Sequence, residues 1–266
     1  MNSYARFFEN LQQDLKLFIY WCLVFTVFRI DFIAIYSGQL NGEYGDVPIG
    51  LRLSLKTAGI IALIGFVFAT LPKIIVKNWP ADKLRFCLHA VALLFFAICF
   101  MTRIPHYKIF NAAFNMMLIN GAHDDIYAIF VTAVKEYQLL WRFPLPLVLG
   151  IALVYGLRIW LHKLPAKSFV EVQHKKLVIA LTLPVLAVLC VFVRYGGAFN
   201  YAHSINWESA ARLKSNLLNE AILDDGQALY RVRDMKRKID KVTNINITVA
   251  QLREKNCCKR WQHRCG

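Results

Sequence analysis

Charged side chains inside apolar runs are the first residues in this chain that could do chemistry. Arg29 and Asp31 stand within LFIYWCLVFTVFRIDFIAIY, residues 17–36. An ionisable group at membrane depth costs from about 2.5 kcal/mol upward unless it is paired or hydrated. Two residues apart on a straight helix, the two do not face each other, so each needs a partner elsewhere. The simplest expectation puts both near an interface with their charged ends reaching water; headgroup contact or pairing within a helix bundle are the alternatives. His89, in another apolar run, is expected to be a buried, hydrogen-bonded histidine. His106, His123, Asp124 and Asp125 form the one cluster outside those runs with metal-ligand chemistry. Zinc needs three or four convergent ligands, and adjacent carboxylates at a helix start are better explained as caps. The tail CCKRWQHRC has neighbouring cysteines without C-x-x-C spacing. No phosphate-cradling glycine loop, nucleophile elbow or zincin motif occurs. The residues therefore give no catalytic, cofactor or metal site; Arg29, Asp31, Arg103, His106, Asp124 and Asp125 remain as candidate contacts to lipid headgroups.

Composition indicates the kind of element that must position these residues. The 266-residue chain is 57% hydrophobic and only 18% charged, against about 45–50% and about 25% in an average globular chain. The excess apolar surface must face something other than water, and lipid is the expected partner. A formal charge of +15 would also suit a nucleic-acid binder, but the basic residues of the apolar part sit in short connectors, the pattern of membrane topology, so no nucleic acid is expected. Cys22, Cys87, Cys99 and Cys190 lie in apolar runs as small hydrophobes, and the odd total of seven argues against a disulfide framework.

A helix needs about 20 apolar residues to cross a hydrocarbon core about 30 Å thick. Five stretches meet this, at about 17–36, 55–75, 84–101, 145–161 and 177–193, and define an all-α membrane domain over residues 1–197. The first is too long for a signal peptide and has no small-residue cleavage site. Lys73, Lys77, Lys83 and Arg85 collect in one connector, and Arg158, Lys163, Lys167, Lys175 and Lys176 in another. The positive-inside rule makes these and the N-terminus cytoplasmic, and five crossings place everything after Val193 outside. Residues 106–140 read as interfacial amphipathic helices, with Tyr107, Tyr137 and Trp141 placed for an aromatic belt. Residues 198–255 read as an extracytoplasmic connector whose helix begins near Ser204 or Asn206.

Three segments carry a resemblance: GLRLSLKTAG at 50–59, YKIFNAAFNMMLINGAHDDIYAIF at 107–130, and RYGGAFNYAHSINWESAARLKSNLLNEAILDDGQALYRV from Arg194 onward. They are similar to the membrane part of the lipoteichoic acid synthase family, bacterial sulfatase-like phosphoglycerol transferases of the alkaline phosphatase superfamily. The resemblance covers most of residues 17–250 and implies five spans in the bacterial cytoplasmic membrane. It also implies an extracytoplasmic α/β domain that transfers glycerophosphate from a phospholipid donor, using a threonine or serine nucleophile on a divalent metal (Mn, Mg or Zn). In the family that domain comes after the connector, so no catalytic residue carries over onto these positions. The chain is accordingly expected to be a truncated anchor, inactive alone, with 256–266 as an aberrant, frameshift-like tail. The rivals are the anchor of a phosphoethanolamine transferase or membrane sulfatase and, in another class, a small transporter or membrane scaffold.

Overall fold

The computed structural model describes residues 3–40, 47–121, 127, 131, 134–135, 144–163, 169, 175–211 and 213–242. His123, Asp124, Asp125, Tyr137, Trp141 and the cysteine-rich tail lie outside them, as does much of the expected interfacial stretch.

Among the described residues the chain is all-helical, without strands, and five helices are long and apolar enough to cross a membrane. They are α1 (Ser3–Ile35), the composite Ile49–Ile75, and three more introduced below. The composite begins as α2 (Val47–Gly65), widens into a π-helical turn at Phe66–Thr70 and closes as α3 (Leu71–Ile75). The widening has a local cause. Pro72 has no N–H for the carbonyl four residues before it, and its ring presses on that turn. The carbonyl concerned, Phe68 O, instead accepts from the Trp79 indole at 3.2 Å.

The next long helix is α4 (Ala81–Phe110), which ends where Asn111 adopts φ 54°, a left-handed conformation that Asn tolerates as a C-cap. The short α5 (Met117–Asn120) comes next, then α6 (Pro144–Lys163) and α7 (Lys175–Arg194). α7 stops at Gly196 and Gly197, whose φ of 64° and 78° few other residues would accept. Each long helix outruns its expected span, α1 by fourteen residues at its start, because polar residues such as Asn10 and Asp14 continue the helix beyond the apolar window.

α1 is central. Its Leu17, Trp21, Phe25, Phe28 and Phe32 are buried against Leu93, Phe96, Phe100 and Tyr107 of α4 and Leu157 of α6. Phe28 stacks on Phe100 with ring centroids 4.3 Å apart and planes 13° from parallel. The Tyr20 hydroxyl donates to Leu153 O at 2.6 Å and the Trp160 indole to Lys16 O at 3.1 Å, tying α6 to α1. α7 has no buried residue and meets α2 alongside Gly59 and Val193. Large apolar side chains such as Ile75 (84% exposed) and Leu183 (66%) face outward, as on a lipid-facing surface.

The region after α7 is not a single helix. Turns of 3-10 helix at Tyr201–His203 and Trp207–Ala210 are capped by the Asn200 and Asn206 side chains. Then comes α8 (Asn216–Ile222), and after a break at Leu223–Asp224 the chain continues as α9, residues 225–242. Ile205, Ala210, Ile222, Leu223, Ala228 and Val232 form a second core with Ile49, Leu53, Ala113 and Phe114, across one end of the helix bundle.

Candidate functional site

That end of the bundle holds the densest buried polar chemistry among the described residues. α8 is only seven residues long, so its last carbonyls have no partner within the helix and carry the negative end of its dipole. Two guanidiniums answer them. Arg29 of α1 donates Nε to Ala221 O at 3.1 Å and Nη2 to Ile222 O at 3.5 Å, to Gly50 O at 2.7 Å and to the Ser54 hydroxyl at 2.6 Å. Arg103 of α4 donates Nη2 to Glu220 O at 2.5 Å and Nη1 to Asp225 Oδ1 at 3.3 Å, with its guanidinium 4.2 Å above the Phe32 ring. Gly50 is needed for the approach of α2 to α1, since a Cβ there would sit 2.6 Å from Arg29 Nε.

The carboxylates come from the residues after the fifth long helix. Asp224 caps α9, accepting from Gln227 N at 2.9 Å, and also accepts from the Thr57 hydroxyl of α2 at 2.8 Å. Gln227 Nε2 donates to the same hydroxyl at 3.2 Å. Gly226 permits this approach, because a Cβ at that position would lie 2.5 Å from Thr57 Cγ2. Glu220 takes a two-pronged interaction from Arg231, 2.7 Å on each oxygen, and a further bond from Ala113 N at 2.7 Å. Arg231 also donates to Phe114 O at 2.6 Å, so the stretch after α4 is clamped to α8 and α9. Burial pushes Asp224 up from the ordinary carboxylate range. Burial also pushes Asp225 up to about 6, with Arg103 opposing and Asp224 reinforcing the rise. Arg103 Nε and Asp225 Oδ2 are buried without a protein partner among the described residues.

The opposite end has its own network, built from the long helices alone. Arg85 of α4 donates Nε to Asp14 of α1 at 2.8 Å and Nη1 to Asp82 at 2.9 Å. Its Nη2 donates to the Asn10 side-chain Oδ1 at 2.8 Å and to the Thr70 hydroxyl at 2.9 Å, and Thr70 donates to Asp14. One turn along α4, His89 Nδ1 accepts from the Trp21 indole at 2.9 Å, as expected from its apolar setting.

Of the residues expected at lipid headgroups, Arg29 (5% exposed) and Arg103 (1%) turn inward and donate to protein groups. Each faces helix ends and acidic side chains that come from distant sequence. Asp31 is exposed. His106 Nδ1 pairs with Ala112 O at 2.9 Å, with its ring against Phe110 and Phe114. Sequence reasoning missed Asp224, Asp225, Glu220, Asp14 and Arg85. For the first, Asp224-x-x-Gln227 before an amphipathic run was a visible capping signal. Among the described residues no group of three His, Cys, Asp or Glu side chains is placed to hold a metal ion. What the cluster can do is hold a segment fast against the bundle. Neither known protein families, nor curated proteins, nor solved structures give a match to this chain.

Proposed function

We propose that residues 1–242 are the membrane anchor of a sulfatase-like phosphoglycerol transferase, set in a bacterial cytoplasmic membrane with α8 and α9 on the outer face. In this reading the bundle keeps an extracytoplasmic catalytic domain close to phospholipid donors, raising its effective concentration at the headgroups. The supporting observation is that the three segments carrying the family resemblance, far apart in sequence, meet at one end of the bundle. Gly50, Ser54 and Thr57 come from the first, Ala113 and Phe114 from the second, and Glu220 to Arg231 from the third. Segments under a shared constraint would meet in this way if the family used that end to orient its catalytic domain.

A chimera tests the proposal. Residues 1–242 replace the membrane part of a lipoteichoic acid synthase in cells depleted of the native enzyme, and polymer is read by immunoblot. Polymer synthesis is the expected result. A chimera that inserts with its C-terminal part outside yet makes no polymer, while a phosphoethanolamine-transferase chimera built the same way is active, would overturn the assignment in favour of that sister group.

A further inference from the structure

At the end of the bundle formed by the start of α4 and the close of α6, a cleft of about 440 Å³ opens between α1, α4 and α6. Gln13, Lys83, Arg85, Phe86, Arg158 and His162 line it, with Leu161 and Asp82. Arg158 and His162 are one turn apart on α6 and so project from the same face.

The charges here are not balanced as they are elsewhere. Asp14 and Asp82 are engaged by Arg85. Lys83, Arg158 and His162 have no hydrogen bond or ion pair among the described residues, and the Gln13 side-chain oxygen is buried without a partner. A second open pocket, at the start of the region after α7, differs in its charge. Its Arg52 donates to Gly196 O at 2.8 Å and to His203 O at 2.8 Å, so its guanidinium is already engaged by the protein. The first cleft thus combines spare cations with the apolar surfaces of Phe86 and Leu161. It lies where helices begin and end, the depth at which headgroups meet acyl chains, and basic pockets between spans on the cytoplasmic side suit anionic headgroups.

We propose that this cleft binds an anionic phospholipid of the leaflet opposite α8 and α9, its phosphate shared by Lys83 and Arg158 and its acyl chain lying along Phe86 and Leu161. The site is independent of the transferase reading, which concerns the other face. A cation near a membrane surface contributes about 1 kcal/mol toward an anionic lipid, so removing two weakens binding about 30-fold.

The test uses the purified full chain in detergent, titrated with dioleoyl phosphatidylserine or dioleoyl phosphatidylcholine and read by native mass spectrometry. The expected result is preferential retention of one phosphatidylserine, lost by about 30-fold in Lys83→Gln/Arg158→Gln and kept in Lys163→Gln. Both variants should retain the elution volume and melting temperature of the parent, since neither Lys83 nor Arg158 is part of a bonded network. Three results would overturn the proposal. They are equal affinity for phosphatidylcholine, full retention of phosphatidylserine by the folded double variant, and displacement of the lipid by inorganic phosphate at matching concentration, which would mark a site for a soluble anion.

Discussion

The two ends of the bundle solve the same problem differently. At the Asp14 end, acid and base come from neighbouring long helices, and Arg85 has every guanidinium nitrogen paired within α1, the π-helical turn and α4. At the Asp225 end the long helices contribute Arg29, Arg103, the Gly50 carbonyl, Ser54 and Thr57, and the acidic and remaining carbonyl partners are supplied from residues 220–225. The first end is complete in itself. The second is a set of buried cations that is completed only when the region after α7 folds back, so that region is part of the bundle's structure and not a tether.

Deleting residues 216–242 should therefore have the largest effect. It strips the carboxylate from Arg103 and the helix-end carbonyls from both arginines, and uncompensated buried charge typically costs about 3–5 kcal/mol. The expected outcome is loss of a monodisperse peak in detergent chromatography.

Next comes an asymmetry within the Arg103–Asp225 pair. Asp225→Leu leaves a guanidinium that cannot discharge, while Arg103→Leu leaves a carboxyl that neutralises by taking a proton. The first should lower the melting temperature more than the second at pH 7. Equal losses would mean that Asp225 stays charged without its partner. At the other end Asp14→Leu should lower the melting temperature less than Asp225→Leu, because Arg85 keeps Asp82, Asn10 and Thr70, and should leave α9 docked, as read by protease resistance of residues 225–242.

The pH dependence is smaller and has a definite sign. Asp225 titrates at about 6 in the folded protein against an ordinary value of 3.8, so the folded state binds its proton first. Its contribution to stability is full below about pH 4 and is lost as pH rises through about 6, by about 3 kcal/mol in all at 1.36 kcal/mol per unit. Acidification from pH 7.5 to 5.5 should raise the melting temperature of the parent more than that of Asp225→Asn.

The smallest expected effect separates a tight contact from a forgiving one. Gly226→Ala presses a methyl onto Thr57, which is buried and bonded, whereas Gly150→Ala meets the flexible tip of Leu94 at 2.6 Å. The first should cost more in melting temperature than the second.

The long helices were legible because lipid-facing runs need only length and hydropathy, and the break at Tyr195–Gly197 announced itself through its glycines. Their true ends were less so, since Asn10, Asp14 and Arg103 are polar residues that bond to partners on other helices. Arg29 looked like an interfacial charge because its acceptors lie on other elements, Gly50 and Ser54 more than 20 positions away and Ala221 and Ile222 some 190. For the same reason Asp224 and Asp225 read as part of a solvated connector. A local pattern records which face of a helix is apolar; it carries no sign that a charged face will be covered by an arginine from another span.

Impermeant maleimide labelling tests most directly whether the region after α7 is both outside and docked. In a background with the native cysteines replaced, Phe199→Cys (67% exposed in the parent), Ile239→Cys (50%) and Ala228→Cys (0%) are labelled in intact spheroplasts. Positions 199 and 239 should react at once and position 228 only after denaturation. Equal reaction at all three would show an undocked stalk, and protection of all three until lysis would place this end of the bundle in the cytoplasm.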